Sequence, residues 1–176
     1  SLLPVDQAQL EALLAPVAPS AWPGCSVIGD VKTTLMPIGL EIPKYRASDH
    51  SATRALLSAA CIALVSAENE LNALDAKSGD GDTGSTVKAA VQSLADAIDQ
   101  LPLADTAELL RAIGSTLSQS MGGSSGVILA IFFSSAGHAA ANGKTLSEAL
   151  ISGLERIQDV GGAQLGDRTM IDALAP

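Results

Sequence analysis

Apolar residues make up 47% of this 176-residue chain but aromatic residues only 2%, so its core has to be filled by alanine, leucine, isoleucine and valine. Side chains of that size let helix axes approach closely, and strand-forming runs are sparse. Apolar residues recur three or four apart through most of the chain, as at Leu56, Leu57, Ala60, Leu64, Ala67, Leu71 and Leu74, which is the helical period. An all-α fold is expected. At 17.7 kDa the chain suits one domain with a real core.

The organisation changes near residue 48. Six of the eight prolines lie in residues 1–47 (Pro4, Pro16, Pro19, Pro23, Pro37 and Pro43), the others being Pro102 and Pro176. After a short helix over about Asp6 to Leu14, that stretch cannot sustain long helices. Residues 1–48 therefore read as a linker or docking arm, with Leu35, Ile38, Leu40 and Ile42 running extended and Trp22 as an anchor. Residues 49–176 read as a helical domain with segments at about 50–74, 84–99, 105–120, 125–142, 146–160 and 168–174. Breaks fall at an aspartate loop, at Gln100-Leu101-Pro102, at Met121 to Gly126, at Asn142-Gly143-Lys144 and at Gly161 to Gly166.

The breaks carry the chemistry. Leu74-Asp75-Ala76-Lys77-Ser78-Gly79-Asp80-Gly81-Asp82-Thr83-Gly84-Ser85 packs three carboxylates and three glycines between two helical segments. Asp75, Asp80 and Asp82 repel one another unless a cation sits among them, and hard carboxylate ligands favour magnesium, calcium or manganese over zinc. Gly79-x-Gly81-x-x-Gly84 matches the dinucleotide fingerprint literally. That fingerprint needs a preceding strand, whereas the segment before it here is helical, and two of its variable positions are acidic. A metal–phosphate site fits better. The alternative is a plain turn, with Gly79 ending one helix and Asp82 or Thr83 capping the next.

Gly122-Gly123-Ser124-Ser125-Gly126 offers bare backbone, small hydroxyls and a helix start, which together suit a phosphate. The alternative is a flexible turn capped by Ser124 or Ser125. In Gly166-Asp167-Arg168-Thr169-Met170, the Arg168 fork suits a phosphate, and Leu165 or Met170 could line an adenine slot. Its alternative is Asp167 capping the helix and pairing with Arg168. No Gly-x-x-x-x-Gly-Lys-Ser/Thr motif occurs, which argues against a P-loop NTPase.

A net charge of −9 and a pI near 4.4 argue against nucleic acid or an anionic membrane surface as partner. Cys25 and Cys61 give neither metal spacing nor a disulfide framework, so a cytoplasmic setting is expected. No secretory signal and no run of about 18 apolar residues is evident; Ile128 to Ser135 reads as a buried helix. His138 lies in an apolar helix and reads as a core or packing residue.

Taken together, Asn72-x-Leu74-Asp75 with Gly79 to Gly84, Met121 to Gly126, and Gly166-Asp167-Arg168-Thr169-Met170-x-Asp172-Ala173-Leu174 resemble the nucleotide-binding domain of dihydroxyacetone kinases over about residues 49–176. The arm with Ala21-Trp22-Pro23 resembles the connector of the single-chain, ATP-dependent members. The resemblance implies an antiparallel helical barrel or bundle of about eight helices, with ATP or ADP at one end. It implies that Asp75, Asp80 and Asp82 hold two magnesium ions. Thr83 and Ser85 would lie beside the phosphates, Gly123, Ser124 and Ser125 would bind them, and Arg168 would add positive charge. Met121, Leu165, Thr169 and Met170 would lie around the adenine. Phosphoryl transfer needs positioning and charge neutralisation more than a protein nucleophile, so no catalytic side chain is assigned.

In that family a histidine of a separate ketose-binding domain holds the acceptor covalently, and neither His50 nor His138 is its equivalent. The family also runs on for one or two helices beyond the position of Pro176, so a shortened barrel is expected, inactive without the ketose-binding partner. A homodimer stays open. The alternatives are a phosphocarrier-dependent subunit that keeps ADP bound, another ketose substrate or FAD cleavage to a cyclic flavin phosphate, and a non-catalytic nucleotide- or partner-binding module.

Overall fold

The computed structural model describes residues 6–15 and 44–175. The chain divides into two units, Ser1–Glu41 and Ile42–Pro176. The described part of the first is one helix, α1 (Gln7–Leu14). It begins with a capping box, in which the Asp6 carboxylate accepts from the Gln9 N–H at 2.8 Å and the Gln9 side chain accepts from the Asp6 N–H at 2.9 Å. The six prolines of the expected arm, with Trp22, Cys25 and the Leu35 to Ile42 run, lie outside the described residues.

The second unit holds α2 (Ser51–Ser66), α3 (Glu68–Asp75), α4 (Thr83–Asp96), α5 (Thr106–Ser120), α6 (Gly123–Ala141), α7 (Leu146–Gly161) and α8 (Met170–Leu174), with a 3-10 turn at Ile98–Gln100. Among the described residues there is no strand, only an isolated bridge between Ser48 and Pro102. The all-α expectation holds. The helical unit starts earlier than residue 49, because Tyr45 packs on its core and Ser48 bonds to Leu101, Leu103 and Ala104.

Short connections make α5, α6 and α7 consecutive antiparallel neighbours, and glycines set how closely they pack. A Cβ on Gly137 would meet Arg111 Cγ at 2.6 Å and the Ala107 carbonyl at 2.8 Å; one on Gly153 would meet the Phe132 carbonyl at 2.6 Å. Helix α6 matches the expected 125–142 segment to within two residues and extends beyond the apolar Ile128–Ser135 run at both ends. With 19 residues and a mean hydropathy of 1.4 it is long and apolar enough to cross a membrane by length and composition, yet here it lies between α5 and α7.

One cluster, including Val91, Leu94, Leu103, Leu109, Ile113 and Leu117, joins α4 and α5. A second, of Phe132, Leu154, Ile157 and Ile171, joins α6, α7 and α8, with Phe132 edge-on to Phe133 at 5.1 Å. An almost wholly apolar cavity of about 570 Å³ opens between α2, α4, α5 and α6.

The expected single helix over 50–74 is in fact α2 and α3, bent by 51° at Ala67. Neither proline nor glycine causes the bend. Instead α3 is drawn onto α4, with Lys88 paired to Glu68 at 2.7 Å and the Glu68 carbonyl set against Gly84. As a result Leu56, Leu64 and Leu74 do not enter a helix–helix seam. Leu56 is 73% exposed, and with Leu57, Ala60 and Leu64 it borders the cavity.

Gly153→Ala should lower stability by about 1–3 kcal/mol through overpacking against the Phe132 backbone, seen as a fall in Tm. Gly161 ends α7 with nothing within 4 Å of a would-be Cβ, so Gly161→Ala should leave Tm unchanged or raise it.

Candidate functional site

Helix α3 ends at Asp75 and α4 starts at Thr83, and their packing brings the connecting loop back on itself. The Asp75 Oδ2 accepts from the Gly81 N–H at 2.9 Å and the Asp82 N–H at 3.1 Å. The Thr83 N–H and hydroxyl also favour the ionised form of Asp75. Gly81 supplies the left-handed turn, at φ +80°. Each of Asp75, Asp80 and Asp82 offers a carboxylate oxygen, and the three oxygens lie within 4.8 Å of one another, with Asp75 half-buried and the other two exposed. The loop expected from the sequence therefore forms a cluster of hard oxygen ligands, the donor set that suits magnesium or calcium.

The electrostatics agree with that geometry. The neighbouring Asp80 carboxylate, then partial desolvation and Asp75, raise the Asp82 pKa above the usual carboxylate value. For Asp75, partial burial works upward, but the N–H groups of Gly81, Asp82 and Thr83 with the Thr83 hydroxyl outweigh it, and the net shift is downward. A carboxylate held ionised beside one that resists ionisation is relieved by a cation.

The start of α4 is built differently from the capping expected. Asp82 occupies the N-cap position but makes no side-chain cap bond. Asn72 does this from α3: its Oδ1 accepts from the Ser85 N–H at 3.1 Å and its Nδ2 donates to Ser85 Oγ at 3.1 Å. Ser85 Oγ also donates to Glu68 Oε1 at 3.2 Å. The hydroxyl of Ser85 is thus engaged within the protein, holding the loop.

Gly123, Ser124 and Ser125 form the first turn of α6 and not a loop before it. Gly122 is the N-cap, no side chain caps the helix, and Gly123 sits at φ +73°. A Cβ on Gly122 or Gly123 would meet nothing within 4 Å, so this backbone is bare. Met121 before it is turned inward, 8% exposed, within the core.

Arg168 precedes α8 and is the one non-glycine among the described residues with positive φ, at 59°, a conformation that disfavours a side chain. Thr169, not Asp167, caps α8, in a capping box with Asp172. Asp172 accepts from the Gly166 N–H at 2.6 Å and the Thr169 N–H at 2.9 Å, and Asp167 instead accepts from the Gln164 N–H. Among the described residues Arg168 has no carboxylate within 4.0 Å. Met170 opens α8, half-buried, and Leu165 is 65% exposed. Sequence reasoning left out Asn72 and Asp172 as site-building residues, although both stood inside the quoted motifs.

Asn72→Ala should loosen the start of α4, costing about 1–2 kcal/mol as other cap losses do, and weaken divalent-ion binding by roughly 10–100-fold, as loss of outer-shell support does; manganese titration by electron paramagnetic resonance measures it. Hydrogen bonds from Gly166 and Thr169, opposed by partial burial, depress the Asp172 pKa. Its contribution is therefore complete above the unfolded carboxylate value and disappears as pH falls through the lower folded value. The Gly166 and Thr169 amide resonances should hold their positions into mild acid and move only below the usual aspartate range, and in Asp172→Asn they should be displaced at every pH.

The DAK2 domain model matches residues 77–176, so Asp75 falls just outside the match. The chain is 40% identical over 168 residues to dihydroxyacetone kinase of Citrobacter freundii, covering 94% of this chain and 30% of that protein. It is 34% identical over 185 residues to human triokinase/FMN cyclase, covering 99% and 32%. The crystal structure of the C. freundii enzyme in complex with AMP-PNP and Mg2+ superposes with a TM-score of 0.74 at 40% identity, over 98% of this chain and 32% of that one. The chain thus spans about a third of the length of these relatives. A DAK2 match over more than half of its residues, with the same helical fold in a relative of 40% identity, establishes that the chain belongs to the DAK2 domain family.

Proposed function

We propose that this chain is the nucleotide-binding domain of a glycerone-type kinase: it holds ATP through magnesium and presents the γ-phosphoryl group to a small ketose carried on a separate domain. The observation that carries this reading is the triad of carboxylates with oxygens within 4.8 Å, on a loop held by Asp75 and Asn72, in a chain similar to a kinase crystallised with AMP-PNP and Mg2+.

Asp75, Asp80 and Asp82 would hold the metal, as two ions. When bound, magnesium supplies charge neutralisation between carboxylate and phosphate. The chain's own residues do the rest. The uncapped first turn of α6 directs the N–H groups of Gly123, Ser124 and Ser125, with the helix dipole, at a phosphate. Arg168, with no carboxylate partner among the described residues, carries its guanidinium to the same ligand. Thr83 and Ser85 lie beside the phosphates, with the Ser85 hydroxyl donating to Glu68. Met170, Thr169 and Leu165 border the adenine, with the buried Met121 fixing the Gly122–Ser125 backbone from beneath. The setting is cytoplasmic, and phosphoryl transfer requires the ketose-binding domain.

The second reading is cleavage of FAD to a cyclic flavin phosphate at the same nucleotide site, which the word cyclase in the human relative's name favours. Triose phosphate formed when the ketose-binding domain and dihydroxyacetone are supplied, against cyclic flavin phosphate formed from FAD, separates the two.

Calorimetric titration of ATP should show binding with magnesium and none with EDTA. Asp80→Asn should weaken it by roughly 100-fold, as loss of a metal ligand does, and Arg168→Ala by about tenfold, one charge-assisted contact. Unchanged affinity in a folded Asp80→Asn protein moves the site away from this loop.

A further inference from the structure

Sequence reasoning made His138 a core or packing residue, but it is exposed, on the outward side of α6. Two adjoining clefts, of about 800 and 590 Å³, run along that side between α5 and α7 and share Ser134, Ser135, His138 and Arg156. The larger adds Tyr45 and Arg111, and among the described residues no carboxylate lines it. The smaller adds Lys144 and one acid, Glu155, at its end. Lys44 and Arg46, both exposed, flank Tyr45 in the chain. In a molecule of net charge −9, this flank collects cations.

The charge there is available. Arg111 is partnered by Glu108 at 2.6 Å, but among the described residues neither Arg156 nor Lys144 has a carboxylate within 4.0 Å. Lys144 donates to Ser152 Oγ at 2.8 Å, and the other acid near it is Glu148. The groove also has a built floor. Gly114 and Gly137 draw α5 against α6, leaving Ala130 and the Ser134 hydroxyl at the bottom and arginines of α5 and α7 on opposite walls.

We propose that this flank docks an extended acidic polypeptide segment of a partner protein. A compact anion such as phosphate needs donors converging on one point. Here the lining runs along α6 from Val127 to Asn142, about 22 Å at 1.5 Å per residue, and its cations come from three separate places, Arg111 on α5, Lys144 before α7 and Arg156 on α7. Serine hydroxyls between the cations suit a backbone laid along the groove, and spaced cations on both walls suit alternating carboxylates. The proposal is independent of the nucleotide reading, because none of these residues belongs to the aspartate loop, the first turn of α6 or the Arg168 turn.

The test is titration of the isotopically labelled chain with decaglutamate and, separately, inorganic phosphate at low salt, following backbone amides by NMR. Saturable shifts at Ser115, Ser134 and His138 with the peptide are expected, together with loss of at least about tenfold in affinity for Arg156→Glu/Lys144→Glu. Both substituted side chains are exposed, so circular dichroism and MgATP affinity should stay those of the parent. No saturable response, shifts confined to other surfaces, unchanged affinity in the double variant, or phosphate binding the same amides as tightly would each overturn the proposal.

Discussion

One absent methyl group sets the geometry of the aspartate loop. Gly84 lets the first turn of α4 rest against the Glu68 carbonyl of α3, closer than any side chain permits. Three further interactions depend on that approach. Asn72 reaches across to cap α4 at Ser85, Lys88 reaches Glu68, and the stretch between the helices has to double back so that Asp75 faces the N–H groups of Gly81 and Asp82. The three acids converge because two helices converge. The 51° bend at Ala67 belongs to the same constraint, since a straight α2–α3 helix could not both line the cavity and lie on α4.

The helix content and the breaks were legible in the sequence because apolar period and glycine placement are local properties. The aspartate cluster was legible for the same reason: acids spaced so closely between two helices have little freedom to separate. What was missed depended on partners distant in sequence. The bend at Ala67 has no proline or glycine to announce it and arises from contacts with α4. Leu56 and Leu64 keep the helical period yet face an open cavity, since periodicity identifies an apolar face and not what covers it. His138 follows the same logic in reverse: an apolar helix such as α6 still has an outward side once α5 and α7 are in place.

Capping was misread for a related reason. Asp82, Asp167, Ser124 and Ser125 all occupied plausible cap positions in the sequence, but none makes the expected cap bond. At two of the three helix starts the acceptor comes from elsewhere: Asn72 on the preceding helix for α4, and the Thr169–Asp172 box within α8. Asp82 is thereby left without a capping duty, with its carboxylate available beside those of Asp75 and Asp80.

The third start, α6, is satisfied by no side chain, and the asymmetry is informative. A 19-residue helix leaves its first N–H groups and the positive end of its dipole unanswered at Gly123, Ser124 and Ser125, on backbone with nothing within 4 Å of the two glycines. Arg168 is held at φ +59° by the turn that Asp172 organises, with no carboxylate within 4.0 Å among the described residues. Unanswered donors, a strained arginine and crowded carboxylates each leave an interaction unmade. On the nucleotide-binding reading proposed above, a ligand that is both anionic and metal-bound would satisfy all three at once, its phosphates meeting the donors while its cation meets the acids. Free phosphate would satisfy the donors but add charge against Asp80 and Asp82, and a bare cation would leave the start of α6 as it is. On that reading a metal–nucleotide complex is the ligand that would join these features into one site.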